Sequence, residues 1–208
     1  SKYFFYLGEN YLLDYYSDTI SNSLTEFTNL AKETFQKGIT ANPNDPLNYI
    51  GLAKVATYLN DLKTAETALQ TNPDSALSIL KKMNPSNFIS DADRALYGLL
   101  YFEALDKTKG DLKPDSLIDF SLSYYMRSNN NVRLAKSYFY KAKTLKVDQR
   151  FDDATVLYLK AIDLVKNTDE SLLLGKIYSD IGDICSIQKD FKESLNKYKT
   201  SIGFFQRS

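Results

Sequence analysis

The stretch from Leu134 to Val165, LAKSYFYKAKTLKVDQRFDDATVLYLKAIDLV, constrains the fold more than any other part of the chain. Tyr138, Ala142 and Leu145 follow at steps of four and three, which places them on one face of a helix. Ala154, Tyr158, Ala161 and Val165 do the same in the second half. Between them VDQRFDD is polar and short, as suits a link between antiparallel helices. The three alanines let neighbouring helices approach closely, and Tyr138 and Tyr158 fill the space beside them.

The pattern recurs. Downstream, Tyr178, Ile181, Gly182 and Cys185 fit the first helix, and Ser194, Tyr198 and Ser201 fit the second after the turn QKDF. Upstream, Phe4, Leu7, Gly8 and Tyr11 match a first helix. Ala31, Phe35, Gly38 and Pro43 match a second helix, but only after an insertion around Ser17 to Thr28. A third start stands at Leu47, Ile50 and Gly51.

This small/large alternation resembles the tetratricopeptide repeat, a helix–turn–helix of about 34 residues. Tyr138, Ala142, Leu145, Ala154 and Tyr158 stand at its Trp, Gly, Tyr, Ala and Phe positions. Lys141 departs from the pattern at the Leu position, and no proline closes the repeat. Gly182 follows Ala142 by 40 residues, so the excess is expected in longer helices or in the NTDES connection. The resemblance implies an all-α, right-handed superhelical solenoid of antiparallel helix pairs. It also implies a scaffold that binds proteins or peptides, without catalytic activity and without a cofactor.

Taken in order, residues 3 to 16 read as a helix, 17 to 23 as loop, and 24 to 40 as a second helix. The NPNDP stretch stops it, because Pro43 cannot continue a helix and Asp45-Pro46 suits a new start. Leu47 to Leu59 reads as a third helix, broken at Asn60-Asp61, with Leu62 to Gln70 a short fourth. Residues 61 to 71 could close one repeat or open the next. The pattern restarts at Pro73 with Ala76, Leu80 and Met83 on one face. Helices are then expected over Asp91 to Asp106 and Asp115 to Met126. This reading divides the chain into N-terminal repeats at 1–72, with the insertion near 17–28, and C-terminal repeats at 73–208 continuous with them.

Composition narrows the function classes. The 208 residues are 43% hydrophobic and 25% charged, which is globular. Lysine plus arginine and aspartate plus glutamate both total 26, so charge gives no pull toward nucleic acid. No apolar run is long enough to span a bilayer. There is no initiator methionine or signal peptide, as in a processed form or an expressed fragment. With no histidine, there is no Ser-His-Asp or Cys-His arrangement and no imidazole ligand. Cys185 stands alone at an apolar helical position and reads as a small core residue. Gly8, Gly51, Gly98 and Gly182 are isolated, which fits close helix packing rather than a phosphate loop. Most of the 16 tyrosines and 12 phenylalanines fall on packing positions. The pairs in YFFY at 3–6 and YY at 15–16 should each send one ring out of the core.

The stretch from NPDSALSILKKM through DADRALYGLLYFEALDK to the core repeat, about residues 70 to 165, resembles sensor-type repeat proteins of Bacteroidetes. In that family helical repeats precede a membrane helix and a signalling or DNA-binding module. The resemblance implies, as an alternative function, the extracytoplasmic sensing portion of a membrane-bound transcriptional regulator. Its place would be the periplasm or the outer face of the inner membrane, against a cytoplasmic location otherwise.

Two surfaces stand out as candidate interfaces. In tetratricopeptide arrays first helices line the inner surface, and here they carry Lys136, Phe139, Lys143 and Lys146, then Lys176, Ser179 and Asp183. The lysines are expected to form a groove for an acidic or C-terminal carboxylate segment, with Phe139 as an apolar anchor, although the Lys/Asn pattern of the carboxylate-clamp repeats is not complete. The final helix, about Asp190 to Gln206, should hide Leu195, Tyr198 and Ile202 against its predecessor. Phe204 and Phe205 are adjacent and diverge by about 100°, so one is expected to meet a second copy, a symmetry mate or a further segment.

Overall fold

A computed structural model describes residues 4–8, 23–85, 88, 90–112 and 115–207, with only the backbone of 23–30, 52–60 and 115. The described residues are helical and contain no strand. Residues 4–8 are helical, followed by α1 (Ser23–Ala41), α2 (Pro46–Thr71), α3 (Pro73–Lys82), α4 (Asp91–Lys107) and α5 (Asp115–Tyr125). Then come α6 (Asn131–Val147), α7 (Phe151–Val165), α8 (Ser171–Ile187) and α9 (Phe191–Phe205). Adjacent helices pack in pairs, as in a tetratricopeptide-like fold.

Short polar side chains start these helices by accepting bonds from backbone N–H groups that lack a helical partner. Asp45 accepts from Leu47 N and Asn72 from Ser75 N, each followed by a proline at the first helical position. Ser90, Asn130 and Asp190 accept from the N–H of Asp93, Arg133 and Glu193.

From Asp91 onward the register repeats every 40 residues. The first helices start at Asp91, Asn131 and Ser171 and end at Lys107, Val147 and Ile187; the second helices end at Tyr125, Val165 and Phe205. Just past each first helix lies a residue with positive φ: Lys109 at 56°, Gln149 at 60° and Lys189 at 65°. That left-handed conformation costs a non-glycine residue about 1–2 kcal/mol, and helix-terminating hydrogen bonds offset it. Gln149 N donates to Lys146 O and Arg150 N to Leu145 O, and Lys189 and Asp190 N do the same to Ser186 and Cys185 O. The 40-residue spacing therefore reaches one repeat further back than the sequence pattern showed. The excess over the usual repeat lies largely in the helices, 17 and 15 residues long in both of the last two pairs.

The chain forms two compact units, residues 1–108 and 109–208. The sequence division at 72/73 falls inside the first, at the single residue Asn72 between α2 and α3.

In the first unit the ring of Phe35 is fully buried. A Cβ on Gly8 would lie 2.7 Å from it, and one on Gly51 2.5 Å, so both backbones approach the ring as no other residue could. Asn60-Asp61 does not break the third helix: α2 runs unbroken from Pro46 to Thr71. Asn and Asp disfavour a helix interior by less than about 1 kcal/mol and, unlike proline, remove no backbone donor. Leu62, Ala65 and Leu69 are buried in its second half, and the helix as a whole packs on both α3 and α4, so residues 61–71 belong to neither a separate closing nor a separate opening helix. Ala76, Leu80 and Met83 are buried on one face, as expected. Tyr6 leaves the core while Phe5 lies 6.0 Å from Phe35. The expected helix over 9–16, the YY pair at 15–16 and the loop at 17–22 fall outside the described residues, and α1 reaches back to Ser23.

In the second unit each helix packs on the next, and α8 also reaches α6. Ala142, Ala154, Ala161, Tyr158 and Val165 are buried without residue, as the spacing requires. Ala154→Leu is accordingly expected to cost about 1–3 kcal/mol by overpacking. Lys160→Leu, on an exposed position, should change the melting temperature little. Equal losses for the two would show that Ala154 is not at a crowded contact.

The pair α8/α9 meets through Ser194, Tyr198 and Ser201, as the repeat alignment expects, and not through Leu195 and Ile202. Leu195 and Ile202 face outward, while Ser194 and Ser201 are buried. Ser194 Oγ donates to Gly182 O at 2.9 Å, and Ser201 Oγ donates to Gly175 O at 2.7 Å. Tyr198 lies over Gly182 and Phe205 over Gly175, within 2.9 and 2.7 Å of where a Cβ would stand. Moving seven residues forward on α9 moves seven back on α8, which is an antiparallel pair with a glycine at each contact. The glycines bring the two backbones so close that only a small side chain fits there, as alanine does at the equivalent positions 154 and 161, and the serine hydroxyls use the proximity to donate to the helix carbonyls. Phe204 stacks on Tyr178 at 5.5 Å. Cys185 is half-exposed rather than buried, and the charges of Asp190, Glu193 and Lys197 act on its thiol.

Candidate functional site

Helix α6 carries Arg133, Lys136, Lys141, Lys143 and Lys146 and no acidic residue. The structure gives these cations distinct surroundings. Lys141 reaches back to Asp119 on α5, Nζ to Oδ1 2.8 Å. Lys146 bridges forward to α8, 2.6 Å from Asp180 Oδ1 and 2.5 Å from Asp183 Oδ2. Asp180 also accepts from Tyr158 Oη at 3.1 Å, and Asp183 from Tyr198 Oη at 2.6 Å.

The cluster therefore ties α6, α7, α8 and α9 together through one ammonium, two carboxylates and two phenols. Burial alone would depress the Lys146 ammonium, but Asp180 and Asp183 outweigh it and hold it above the ordinary lysine value. The bond that Tyr198 donates to Asp183, with partial burial, pushes its phenol up. Two carboxylates against one ammonium leave the cluster slightly acidic. Lys146 is consequently removed from the expected cationic groove, because its charge is already neutralised within the fold.

Phe139 is a second correction. Its ring is fully buried, 4.9 Å from Tyr140 and 6.0 Å from Tyr158, so it is a core residue and not an anchor open to a partner. The ammonium of Lys143 lies 5.4 Å from the ring centroid and covers it from outside. The sequence spacing put Phe139 and the lysines within one broad face. A large ring at the edge of that face turns inward, while a long lysine stem beside it runs over the ring to water.

Lys136, Lys143 and Lys176, like Lys146, are half-exposed. Lys136 and Lys176 are 40 residues apart and so occupy the same position in successive repeats, on helices α6 and α8 that pack together. The groups that sequence reasoning did not assemble are Asp180 and the hydroxyls of Tyr158 and Tyr198. Their approach to Lys146 depends on how one repeat stacks on the next, which no local spacing encodes. Among the described residues, no three His, Cys, Asp or Glu side chains come together as metal ligands, and no helix is long and apolar enough to cross a membrane.

Comparison with known proteins adds little. No protein-family model and no curated protein matches the chain. The chain is similar to a solved structure described as the crystal structure of MamA, with 18% identity and a TM-score of 0.42 over 91% of this chain and 96% of that one. That likeness is too slight to bear on function. The resemblance of residues 70 to 165 to Bacteroidetes sensor proteins finds no support in these comparisons.

Proposed function

We propose that the chain is a helical-repeat scaffold that binds a segment of another protein, with an acidic segment lying along α6 and α8. The observation that carries this reading is the placement of Lys136 and Lys176 at the same position of successive repeats, with Lys143 beside them over the Phe139 ring. Repeated cations at one register suit an extended acidic segment better than a compact small molecule, because they recur along the stack. The reading involves no catalytic step. The only carboxylate pair of the cluster, Asp180 and Asp183, is held by Lys146 and two phenols in a structural network.

The test is affinity capture from the native source with the wild-type chain and with the Lys136→Glu/Lys143→Glu/Lys176→Glu variant. Exposed ion pairs contribute about 0–1 kcal/mol each, so three reversals should weaken a captured acidic partner by roughly one to two orders of magnitude. The same loss should follow from raised salt, since exposed charges are screened over about 10 Å at 0.1 M. Helicity should stay close to wild type, with a modest fall in melting temperature because Lys143 covers the Phe139 ring. A partner held equally by both proteins and at every salt concentration would refute the lysine site.

A further inference from the structure

The outer face of α9 repeats, one register later, a surface that the chain itself covers with a helix. In the preceding pair, α8 packs on α7 and reaches α6, and Leu145, Tyr158 and Val165 are buried there at 6%, 0% and 0% exposure. Forty residues on, the equivalent positions are Cys185, Tyr198 and Phe205. Cys185 and Tyr198 are half-exposed, and Phe205 is 41% exposed.

Beside them on α9 stand Phe191, Leu195 and Ile202, exposed at 67%, 55% and 56%. At 100° per residue these three fall within about 40° of one another, next to Tyr198 and Phe205 and away from the buried serines. The result is an apolar stripe along the whole helix. Lys192 and Lys199, both exposed and seven residues apart, border it on the side away from α8. The one glutamate of α9, Glu193, lies on the far side and pairs with Lys197 at 2.8 Å.

We propose that this face docks an amphipathic helix of acidic character from another protein, seated as α8 is seated on α7. The apolar stripe supplies the contact and the two lysines select the charge of the helix that lies along it. The same lysines disfavour a second copy of α9 as the occupant. An antiparallel pairing of two such helices would set Lys192 of one against Lys199 of the other, like charges flanking one seam.

The chain's own first helices supply probes in the right register. A peptide with the sequence of α4, residues 91–107, carries Asp91, Asp93, Glu103 and Asp106 against Arg94 and Lys107. A peptide with the sequence of α6, residues 131–147, carries five cations and no acid. Titration of each fluorescently labelled peptide into the full chain should show saturable binding of the acidic one, at least tenfold tighter than the basic one.

Leu195→Lys/Ile202→Lys should weaken the acidic peptide at least tenfold, with the helical spectrum retained because both positions are exposed. Lys192→Glu/Lys199→Glu, which leaves the stripe intact, should weaken it severalfold and reduce its salt dependence. Binding that survives both variants, or a preference for the basic peptide, overturns the proposal. So does a dimer of the full chain, measured by sedimentation, that Leu195→Lys/Ile202→Lys abolishes, since the stripe would then belong to a second copy.

Discussion

Phe139→Ala is expected to destabilise the second unit by about 3–5 kcal/mol, the range for emptying the site of a fully buried aromatic side chain. The ring has no exposed surface and is enclosed by Tyr140, Tyr158 and the stem of Lys143. The surrounding helices are held by alanines already in contact, so the site cannot collapse to fill the gap. Denaturant unfolding followed by far-UV circular dichroism measures the loss. A residue whose role was to touch a partner would behave differently. Its truncation would leave the unfolding midpoint within a few tenths of a kcal/mol and reduce affinity instead.

Lys146→Glu should be nearly as damaging, at about 3 kcal/mol, the low end for removing one member of a buried pair. The low end applies because Asp183 keeps 42% of its side-chain surface in water, although Asp180 keeps only 13%. The substitution sets a third carboxylate beside these two. Both aspartates lose a charge-assisted bond, and the tyrosine donors to them cannot replace it. Lys146→Met, which keeps the stem and removes the charge, should cost less.

The pH dependence has a definite sign. Because the aspartates raise the folded-state pKa of Lys146, its stabilisation is whole below the ordinary lysine value and is lost as pH rises through the folded-state value. The Tyr198 phenol, also raised, acts in the same direction. Thermal melts across the alkaline range should therefore show a steeper decline for the wild type than for Lys146→Met. Parallel declines would remove Lys146 from the stability of this unit.

What the sequence made legible follows from which interactions are local. The small/large alternation around Ala142, Ala154, Tyr158 and Ala161 reports on contacts inside one helix pair, where position along the helix determines facing, and all four are buried. At Asn60-Asp61 two weak helix formers look locally like a break, but the burial of Leu62, Ala65 and Leu69 holds the helix through them. On α9 hydrophobicity alone pointed the wrong way. Leu195 and Ile202 are more apolar than Ser194 and Ser201, yet the close approach at Gly182 and Gly175 leaves room only for small side chains, and the serines bond the glycine carbonyls. The lysine face was legible as a set of charges but not as a site. Lys146 finds its acids 34 and 37 residues away, a distance set by stacking rather than by any helical period.

The locality of the packing in the second unit also bears on time. Each of its helices rests on neighbours next to it, or next but one, in the chain, so short closures bring them together. Chains with such short-range topology fold quickly, in microseconds to milliseconds for small helical bundles. The same arrangement means that opening need not be global. Helix α9 rests chiefly on α8 alone, through two serine hydroxyls and two rings set on glycines. Like α5 at the other end of the unit, which rests on α6, it has one principal helix neighbour, and amide exchange should run faster along these two than along α6 and α7.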